Sequence, residues 1–171
     1  MRTGKPNASS DPAQLRRAWT GLVIEVFRLN GDLLAAGDTL VGDLGLTSAR
    51  WQVLGAISLS PVPLPVAHIA RNMGLTRQAV QRVVDDMRDD GLVRLEPNPH
   101  HRRAMLVVTT EAGDAVYRAA SERQERWADA LASGLQAERF EAASALLREM
   151  QGRLDEARLP TPESQPKTEG A

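Results

Sequence analysis

Two histidines and two arginines stand next to one another in the segment Asn98-Pro99-His100-His101-Arg102-Arg103. Histidine can bind a metal ion or transfer a proton, and arginine can hold a phosphate or a base edge with two parallel hydrogen bonds. The same residues would also make an ordinary solvated turn. Which of these roles applies depends on the elements on either side of the segment.

The rest of the chain offers few groups for metal or covalent chemistry. Cysteine is absent from all 171 residues, which excludes disulfides, thiolate metal sites and a cysteine nucleophile. The three histidines are His68, His100 and His101, and no His-Glu-x-x-His or comparable ligand spacing occurs. We therefore predict a protein that is not an enzyme and uses no metal or other cofactor. A histidine-based metal sensor is kept as an alternative.

The charge balance confines any nucleic-acid surface to a local patch. The formal net charge is −1, with 21 basic and 22 acidic residues. Lys5 and Lys167 are the two lysines, so every fixed cation between them is an arginine. Arginine suits bidentate contacts with phosphate groups and guanine. A DNA-binding function would therefore depend on where the arginines are placed.

Both ends of the chain are polar and rich in serine or proline, which predicts disordered tails at residues 1–11 and 159–171. The chain has no run of about 18 apolar residues, and its N-terminus lacks the apolar stretch of a secretory signal. These features predict a cytoplasmic protein with no membrane association.

Long amphipathic helices are predicted near both ends of the folded body. Apolar residues recur every three to four positions after Pro12, which predicts a helix over residues 12–36 that is broken by Gly37 and Gly42. Residues 111–158 carry two more helices with long apolar stripes. Because a small protomer has little core in which to bury such stripes, we predict that these helices form a dimerisation region.

The segment between these helices is predicted to hold two helices capped by threonine. Thr47 is a predicted N-cap, and so is Thr76, whose helix is expected to end at Gly91. A short helix over residues 65–72 comes just before the second of them. Two short helices in succession, joined by a turn that contains Gly74, are typical of a helix-turn-helix.

A β-hairpin is predicted to follow these helices. The β-rich runs at residues 92–96 and 104–109 are joined by the segment with two histidines and two arginines. A helix-turn-helix followed by such a hairpin, or wing, predicts a winged helix-turn-helix domain over residues 46–110. The predicted fold class is mainly α with a small β-hairpin wing, and with dimerisation helices on both sides of this domain.

Three residues satisfy the physical requirements of the helix-turn-helix. Ala70 is small where two helices cross, Gly74 tolerates the positive φ of a tight turn, and Val80 buries the second helix. If the helix over residues 76–90 enters a DNA major groove, its polar N-terminal side chains face the bases. These side chains are Thr76, Arg77, Gln78, Gln81 and Arg82.

Four aspartates, Asp85, Asp86, Asp89 and Asp90, follow on the same helix. Helical spacing divides them between two faces, and arginines lie within one turn of some of them, which argues against a cation site. We interpret this region as a solvated helix end turned away from DNA, because phosphate groups repel carboxylates.

Short segments between residues 46 and 113 match a known family. They are Leu46-Thr47, Trp51-Gln52-Val53-Leu54, Ile69-Ala70, Met73-Gly74-Leu75-Thr76, Gly91-Leu92-Val93 and the run from His101 to Gly113. In these segments the chain resembles the MarR family of bacterial transcriptional regulators. The resemblance implies a homodimer, held by its first and last two helices, that binds double-stranded DNA at a pseudo-palindromic operator and acts as a ligand-responsive repressor.

The resemblance also implies roles for the wing, residues 96–104. The wing of this family usually carries Asp-x-Arg, in which the arginine enters the minor groove and the aspartate supports it. Arg103 matches the arginine, whereas His101 stands at the aspartate position. Arg103 is therefore expected to read the minor groove, and Arg102 to contact a phosphate.

A small aromatic or phenolic effector is a further implication, since many relatives bind one between their dimerisation and DNA-binding parts. The candidate lining residues are Trp19, Phe27, Trp51 and Trp127. Aromatic residues at helical spacing are more often part of a core. A winged-helix module that binds only other proteins is the second alternative to a DNA-binding function.

His100 and His101 are expected to contact the DNA backbone as cations. Because imidazole groups gain a proton between about pH 8 and pH 5, DNA affinity should weaken as the pH rises from about 5.5 to about 7.5. Fluorescence anisotropy with a labelled duplex measures this dependence. If His100→Asn and His101→Asn variants kept it in full, the histidines would not be its source.

Overall fold

The computed structural model describes residues 11–101 and 103–157. This part of the chain forms two compact units, one ending at Arg126 and the other beginning at Trp127. The predicted disordered tails lie outside the described residues except for Asp11, and Arg102 also lies outside them.

Helix α1, Pro12–Val41, is longer than the sequence predicts. The predicted break at Gly37 is wrong, because this glycine is buried inside the helix. A Cβ atom at this position would lie 3.5 Å from the Ser48 Cβ and 3.8 Å from the Trp51 ring, and closer still to the Ser48 hydroxyl. Gly37 thus serves the close approach of a neighbouring helix, and the predicted break at Gly42 is where α1 ends.

That neighbour is α2, Ser48–Ser58, which follows a single 3-10 turn at Gly42–Leu44. Thr47 is its N-cap as predicted, and its side chain accepts a hydrogen bond from the Arg50 amide at 3.3 Å. The buried Ser48 hydroxyl donates to the Leu34 carbonyl at 2.6 Å. Its backbone amide donates to Asp38 Oδ1, also at 2.6 Å, so the start of α2 is hydrogen-bonded to the last turns of α1.

The helix-turn-helix consists of α3, Val66–Met73, and α4, Arg77–Asp89. Gly74 has φ of 65° in the turn between them, a conformation that favours glycine. Thr76 caps α4 as predicted, since its hydroxyl accepts from the Ala79 amide at 3.2 Å. The predicted helix-turn-helix is therefore confirmed in its turn and in its cap.

A three-stranded antiparallel sheet follows, with the order β1-β3-β2. Strands β2, Val93–Glu96, and β3, Leu106–Thr109, form the predicted hairpin. The sequence does not predict β1, Leu64–Pro65, which pairs with the other edge of β3. A strand of two residues is too short to show the alternation of apolar and polar residues that predicts a strand. Proline is nevertheless tolerated at the end of an edge strand.

The core lies where α2, α3, α4 and the sheet meet. Its completely buried large side chains are Val41, Val53, Leu54, Ile69, Val80, Val84, Met87, Val93 and Val107. They come from all of these elements and from the end of α1, so one apolar core fixes the hairpin against the helix-turn-helix.

Helix α5, Glu111–Ala132, begins beside the hairpin. The Thr110 hydroxyl donates to the Gly91 carbonyl at 2.6 Å and accepts from the Gly113 amide at 3.1 Å. Gly113 is buried, and a Cβ there would overlap the Leu92 carbonyl oxygen and lie 3.1 Å from its carbon. The start of α5 is therefore packed directly against the backbone that leads into β2.

An arginine further along α5 reaches the end of α1. Arg123 forms two hydrogen bonds with the Asp43 carboxylate, one of them at 2.9 Å, and donates to the Leu40 carbonyl at 3.1 Å. The hydrogen bonding of Arg123 to the Asp43 carboxylate, together with the positive charge of Arg123, lowers the pKa of Asp43 below its ordinary value. α5 is thus held at both its beginning and its middle within the first unit.

Large apolar side chains remain exposed on the long helices. On α1 they are Leu15, Trp19, Ile24, Val26, Phe27, Leu29, Leu33 and Leu34. The second unit contains α6, Ala137–Glu156, and its exposed apolar residues are Leu131, Leu135, Phe140, Leu146, Leu147 and Leu154. No helix in the described part of the chain is long and apolar enough to cross a membrane.

Gly113→Ala should destabilise the protein, because the added methyl group meets backbone that cannot rotate away. We expect the free energy of unfolding to fall by roughly 1–3 kcal/mol, as for other overpacked sites. Thermal and urea unfolding measure this loss.

Gly55→Ala is the matched control, since a Cβ at this position in α2 would be 3.7 Å from the Tyr117 ring, an ordinary contact. It should leave stability unchanged or raise it by up to about 1 kcal/mol, because alanine favours helix over glycine. Equal losses in both variants would show that the Gly113–Leu92 contact has no special role.

Candidate nucleic-acid interface

Helix α4 separates its side chains sharply into an apolar and a polar face. Val80, Val84 and Met87 are completely buried, at a spacing that places them on one side of the helix. Arg77 and Gln78 are exposed in its first turn. The buried face fixes the rotation of α4, so its polar N-terminal residues must face solvent.

The wing and the start of α4 enclose a cleft of about 780 Å³. It is lined by Pro65, Val66, Ala67, His68, Arg77, Gln81, Leu95, Asn98, His100, His101, Arg103, Ala104 and Met105. These residues come from the start of α3, from the N-terminal half of α4 and from the hairpin. The structure thereby brings Arg77 and Gln81 together with Arg103 and the two wing histidines, and their role in DNA binding stays a prediction.

The lining of this cleft is electrostatically one-sided. Arg77, Arg103 and all three histidines of the chain contribute to it, and none of its described lining residues is an aspartate or glutamate. The chain as a whole is nearly neutral, with a formal net charge of −1. The cleft therefore concentrates cationic and hydrogen-bonding groups that suit an anionic ligand.

An asparagine shapes the tip of the wing. The Asn98 side-chain oxygen accepts from the His100 amide at 2.9 Å, which is an Asx turn. The Asn98 carbonyl accepts from the His101 amide at 3.3 Å, and the His101 carbonyl accepts from the Ala104 amide at 3.0 Å. These bonds curl the tip back, so that residues 100, 101 and 103 line the same cleft.

Arg103 lacks the carboxylate partner that the family resemblance implies. His101 occupies that position, and no ion pair to Arg103 occurs among the residues that the structure describes. The arginine is exposed. The backbone turn at Asn98 thus places Arg103 at the cleft, and no ion pair in the described part of the chain fixes its guanidinium.

A second depression, of about 630 Å³, follows the outer face of α4. It is lined by Arg77, Gln78, Gln81, Arg82, Asp85 and Asp86. Asp85 and Asp86 therefore share this depression with Arg77 and Arg82, and the expectation that the four aspartates are turned away from DNA stays a prediction. Gln81 lies on the ridge between the two depressions, because it lines both.

Arginines pair with three of the four aspartates. Arg88 contacts Asp85 at 3.2 Å and Asp89 at 3.0 Å, and Arg50 contacts Asp90 at 2.7 Å. Within residues 11–101 and 103–157, no group of three histidine, aspartate or glutamate side chains is arranged to hold a metal ion. The metal-sensor alternative therefore has no ligand set in the described structure.

The four aromatic residues proposed for an effector pocket have different surroundings. Trp51 is half-buried and packs against the core beside Gly37. On α1, Trp19 is 39% exposed and Phe27 is 72% exposed. Trp127 is half-buried and belongs to the second unit. Their role in effector binding stays a prediction, and neither of the two depressions beside α4 includes any of them.

Two polar residues of the cleft, His68 and Asn98, were not among the predicted DNA-binding residues. His68 lies at the exposed start of α3, and its residue type suggests a metal ligand, although its place before the turn could have located it beside the second helix. Asn98 was not predicted to shape the wing, although an asparagine whose side chain can bind the amide two residues later is a known signal for an Asx turn.

The sequence of this chain is similar to those of several known proteins. A model described as MarR family matches residues 44–104. An uncharacterized protein of Mycobacterium tuberculosis is 43% identical over 114 residues, which is 64% of this chain and 78% of that protein. The transcriptional activatory protein BadR of Rhodopseudomonas palustris is 32% identical over 98 residues, which is 56% of each.

A solved structure with a similar fold is the M. tuberculosis transcriptional regulator MosR in complex with DNA. It superposes with a TM-score of 0.66 at 25% identity, and covers 80% of this chain and 98% of that chain.

Asn98→Ala should loosen the tip of the wing, because it removes the acceptor for the His100 amide. Loss of one hydrogen bond of about 0.5–1.5 kcal/mol would speed amide exchange at the tip by roughly two- to tenfold. Hydrogen–deuterium exchange of the peptide over residues 97–104 measures this. Asn98→Asp, which keeps the acceptor, is the control, and equal acceleration in both variants would refute the role of the Asx turn.

Proposed function

The chain belongs to the MarR family of winged-helix, DNA-binding transcriptional regulators, and on that premise we propose that it is a homodimer that recognises a pseudo-palindromic operator. In this proposal α4 enters the major groove of double-stranded DNA, and the wing enters the adjacent minor groove. A two-fold dimer would place its two recognition helices about 34 Å apart, one helical turn of DNA.

The cleft between α4 and the wing is the observation that carries this proposal. It gathers Arg77, Arg103 and three histidines without a carboxylate among its described lining residues. Phosphate contacts by such groups supply most of the affinity for DNA, and the N-terminal residues of a recognition helix supply specificity.

Roles for individual residues follow from their positions. Arg77 and Gln78 lie in the first turn of α4 and would reach base edges, with Arg82 beside them on the outer face. Thr76 would cap the helix and offer its backbone to a phosphate. Arg103 would enter the minor groove, where a narrow groove concentrates negative potential, with Arg102, His100 and His101 on the backbone.

Exposed apolar residues on the long helices support a dimer. Leu15, Phe27 and Leu29 on α1 are each more than half exposed, and so are Leu131 and Leu154 in the second unit. Large apolar side chains exposed in such number are unusual on monomeric proteins and are typical of helices that pair in oligomers.

Repression relieved by a small aromatic or phenolic effector is the form of regulation that we propose. The family resemblance supports this form, with Trp19, Phe27, Trp51 and Trp127 as the proposed effector-binding residues. BadR, by contrast, is a transcriptional activatory protein. The direction of regulation is therefore measured separately, with a reporter gene behind the DNA that the protein binds.

Arg103→Ala should weaken binding to DNA from upstream of the protein's own gene or its neighbours. Losing one phosphate-proximal cation should cost roughly tenfold in affinity and lower the salt dependence of binding by about one ion. Fluorescence anisotropy at several salt concentrations measures both quantities.

Arg94→Ala is the matched control, because Arg94 is an exposed arginine of the same hairpin that pairs with Glu96 and does not line the cleft. It should change affinity by less than about twofold. Light scattering should show intact dimers for both variants. The proposal would be wrong if the unmodified protein showed no sequence-preferring, salt-sensitive binding, a result that the protein-interaction alternative predicts.

A further inference from the structure

We propose that Asp85 fixes the base preference of the recognition helix by holding the side chain of Gln81 in one orientation. The amide nitrogen of Gln81 lies 3.2 Å from both carboxylate oxygens of Asp85, one helical turn away. This inference rests on the proposed function, since it assumes that α4 enters the major groove.

The chemistry of the pair determines which end of the amide faces Asp85. A carboxylate at neutral pH accepts hydrogen bonds and has none to donate, so it must face the NH₂ group of Gln81. The carbonyl oxygen of the amide is consequently directed away from Asp85. Gln81 then offers a hydrogen-bond acceptor to the depressions on either side of it.

Arg88 holds the carboxylate in this position. Its guanidinium donates to Asp85 Oδ1 at 3.2 Å and to Asp89 Oδ1 at 3.0 Å, so Asp85 is bound from both neighbouring turns of α4. The half-buried Gln81 and Asp85 side chains have less rotational freedom to lose than fully exposed ones. The three side chains thus form a chain of hydrogen bonds that orients the Gln81 amide before DNA binds.

An outward acceptor has a defined partner in the major groove. Adenine and cytosine each present an amino group there, whereas guanine and thymine present a carbonyl oxygen in the corresponding place. A freely rotating glutamine could satisfy either kind of base edge. Gln81 held by Asp85 has one N–H group engaged and its carbonyl oxygen turned outward, so it favours adenine or cytosine over guanine or thymine at one position of each half-site.

Selection from a randomised duplex library, followed by affinity measurements on duplexes with single base changes, tests this inference on the full-length protein. The unmodified protein should prefer an amino-bearing base at one position of each half-site by roughly three- to tenfold, the value of one hydrogen bond. Replacing that base by its analogue without the amino group should cause a similar loss.

Asp85→Ala should reduce this preference to less than about twofold and leave the preferences at other positions intact. Asp89→Ala is the matched control, because it removes one carboxylate from the same arginine without touching Gln81. It should keep the preference, while both variants gain similar non-specific affinity from the loss of a negative charge near DNA.

Gln81→Ala should also abolish the preference, and adding Asp85→Ala to it should have no further effect on base choice. A purely structural Gln81–Asp85 pair would alter thermal stability but not base choice, so an unchanged preference in Asp85→Ala would overturn the inference. The proposed function would survive that result. If the unmodified protein selected no DNA sequence at all, both the proposed function and this inference would be refuted.

Discussion

The burial of one face of α4 is the constraint on which the rest of the site depends. Val80, Val84 and Met87 are completely buried, and each such side chain contributes roughly 1.5–3 kcal/mol by leaving water. Because these three residues fix the rotation of the helix, Arg77 and Gln81 have to lie on its solvent side. Apolar packing on the opposite face thus sets where the proposed recognition residues lie around the helix, and Asp85 orients Gln81 within that arrangement.

The same core positions the wing. Val93 and Val107 are buried with the α4 residues, so the hairpin is fixed at its base while its tip extends past the start of α3. The Asx turn at Asn98 then returns the chain toward α4. Charge follows from this geometry, since the approach of the wing to α4 brings Arg77 and Arg103 into one cleft of a nearly neutral chain.

Much of this arrangement was predictable from the sequence, because it depends on local rules. The threonine N-caps, the positive φ of Gly74 and the hairpin that follows α4 each leave a signal within a few residues. Gly37 and the strand at Leu64–Pro65 were not predictable in this way, since their roles come from Ser48 and from β3, which are distant in sequence. Helical spacing could have predicted the pairing of Asp85 with Gln81, which lie one turn apart. The expected repulsion between carboxylate and phosphate groups instead favoured an Asp85 side chain turned away from DNA.

Methylation interference tests directly whether a dimer of this protein binds in both grooves of DNA. Dimethyl sulfate modifies guanine N7 in the major groove and adenine N3 in the minor groove. If α4 and the wing contact DNA together, methylated guanines at the centre of each half-site and methylated adenines beside it should both prevent binding. The two half-sites should lie about one helical turn apart. Interference in the major groove alone, or in a single unrepeated half-site, would contradict the account of a dimer that reads both grooves.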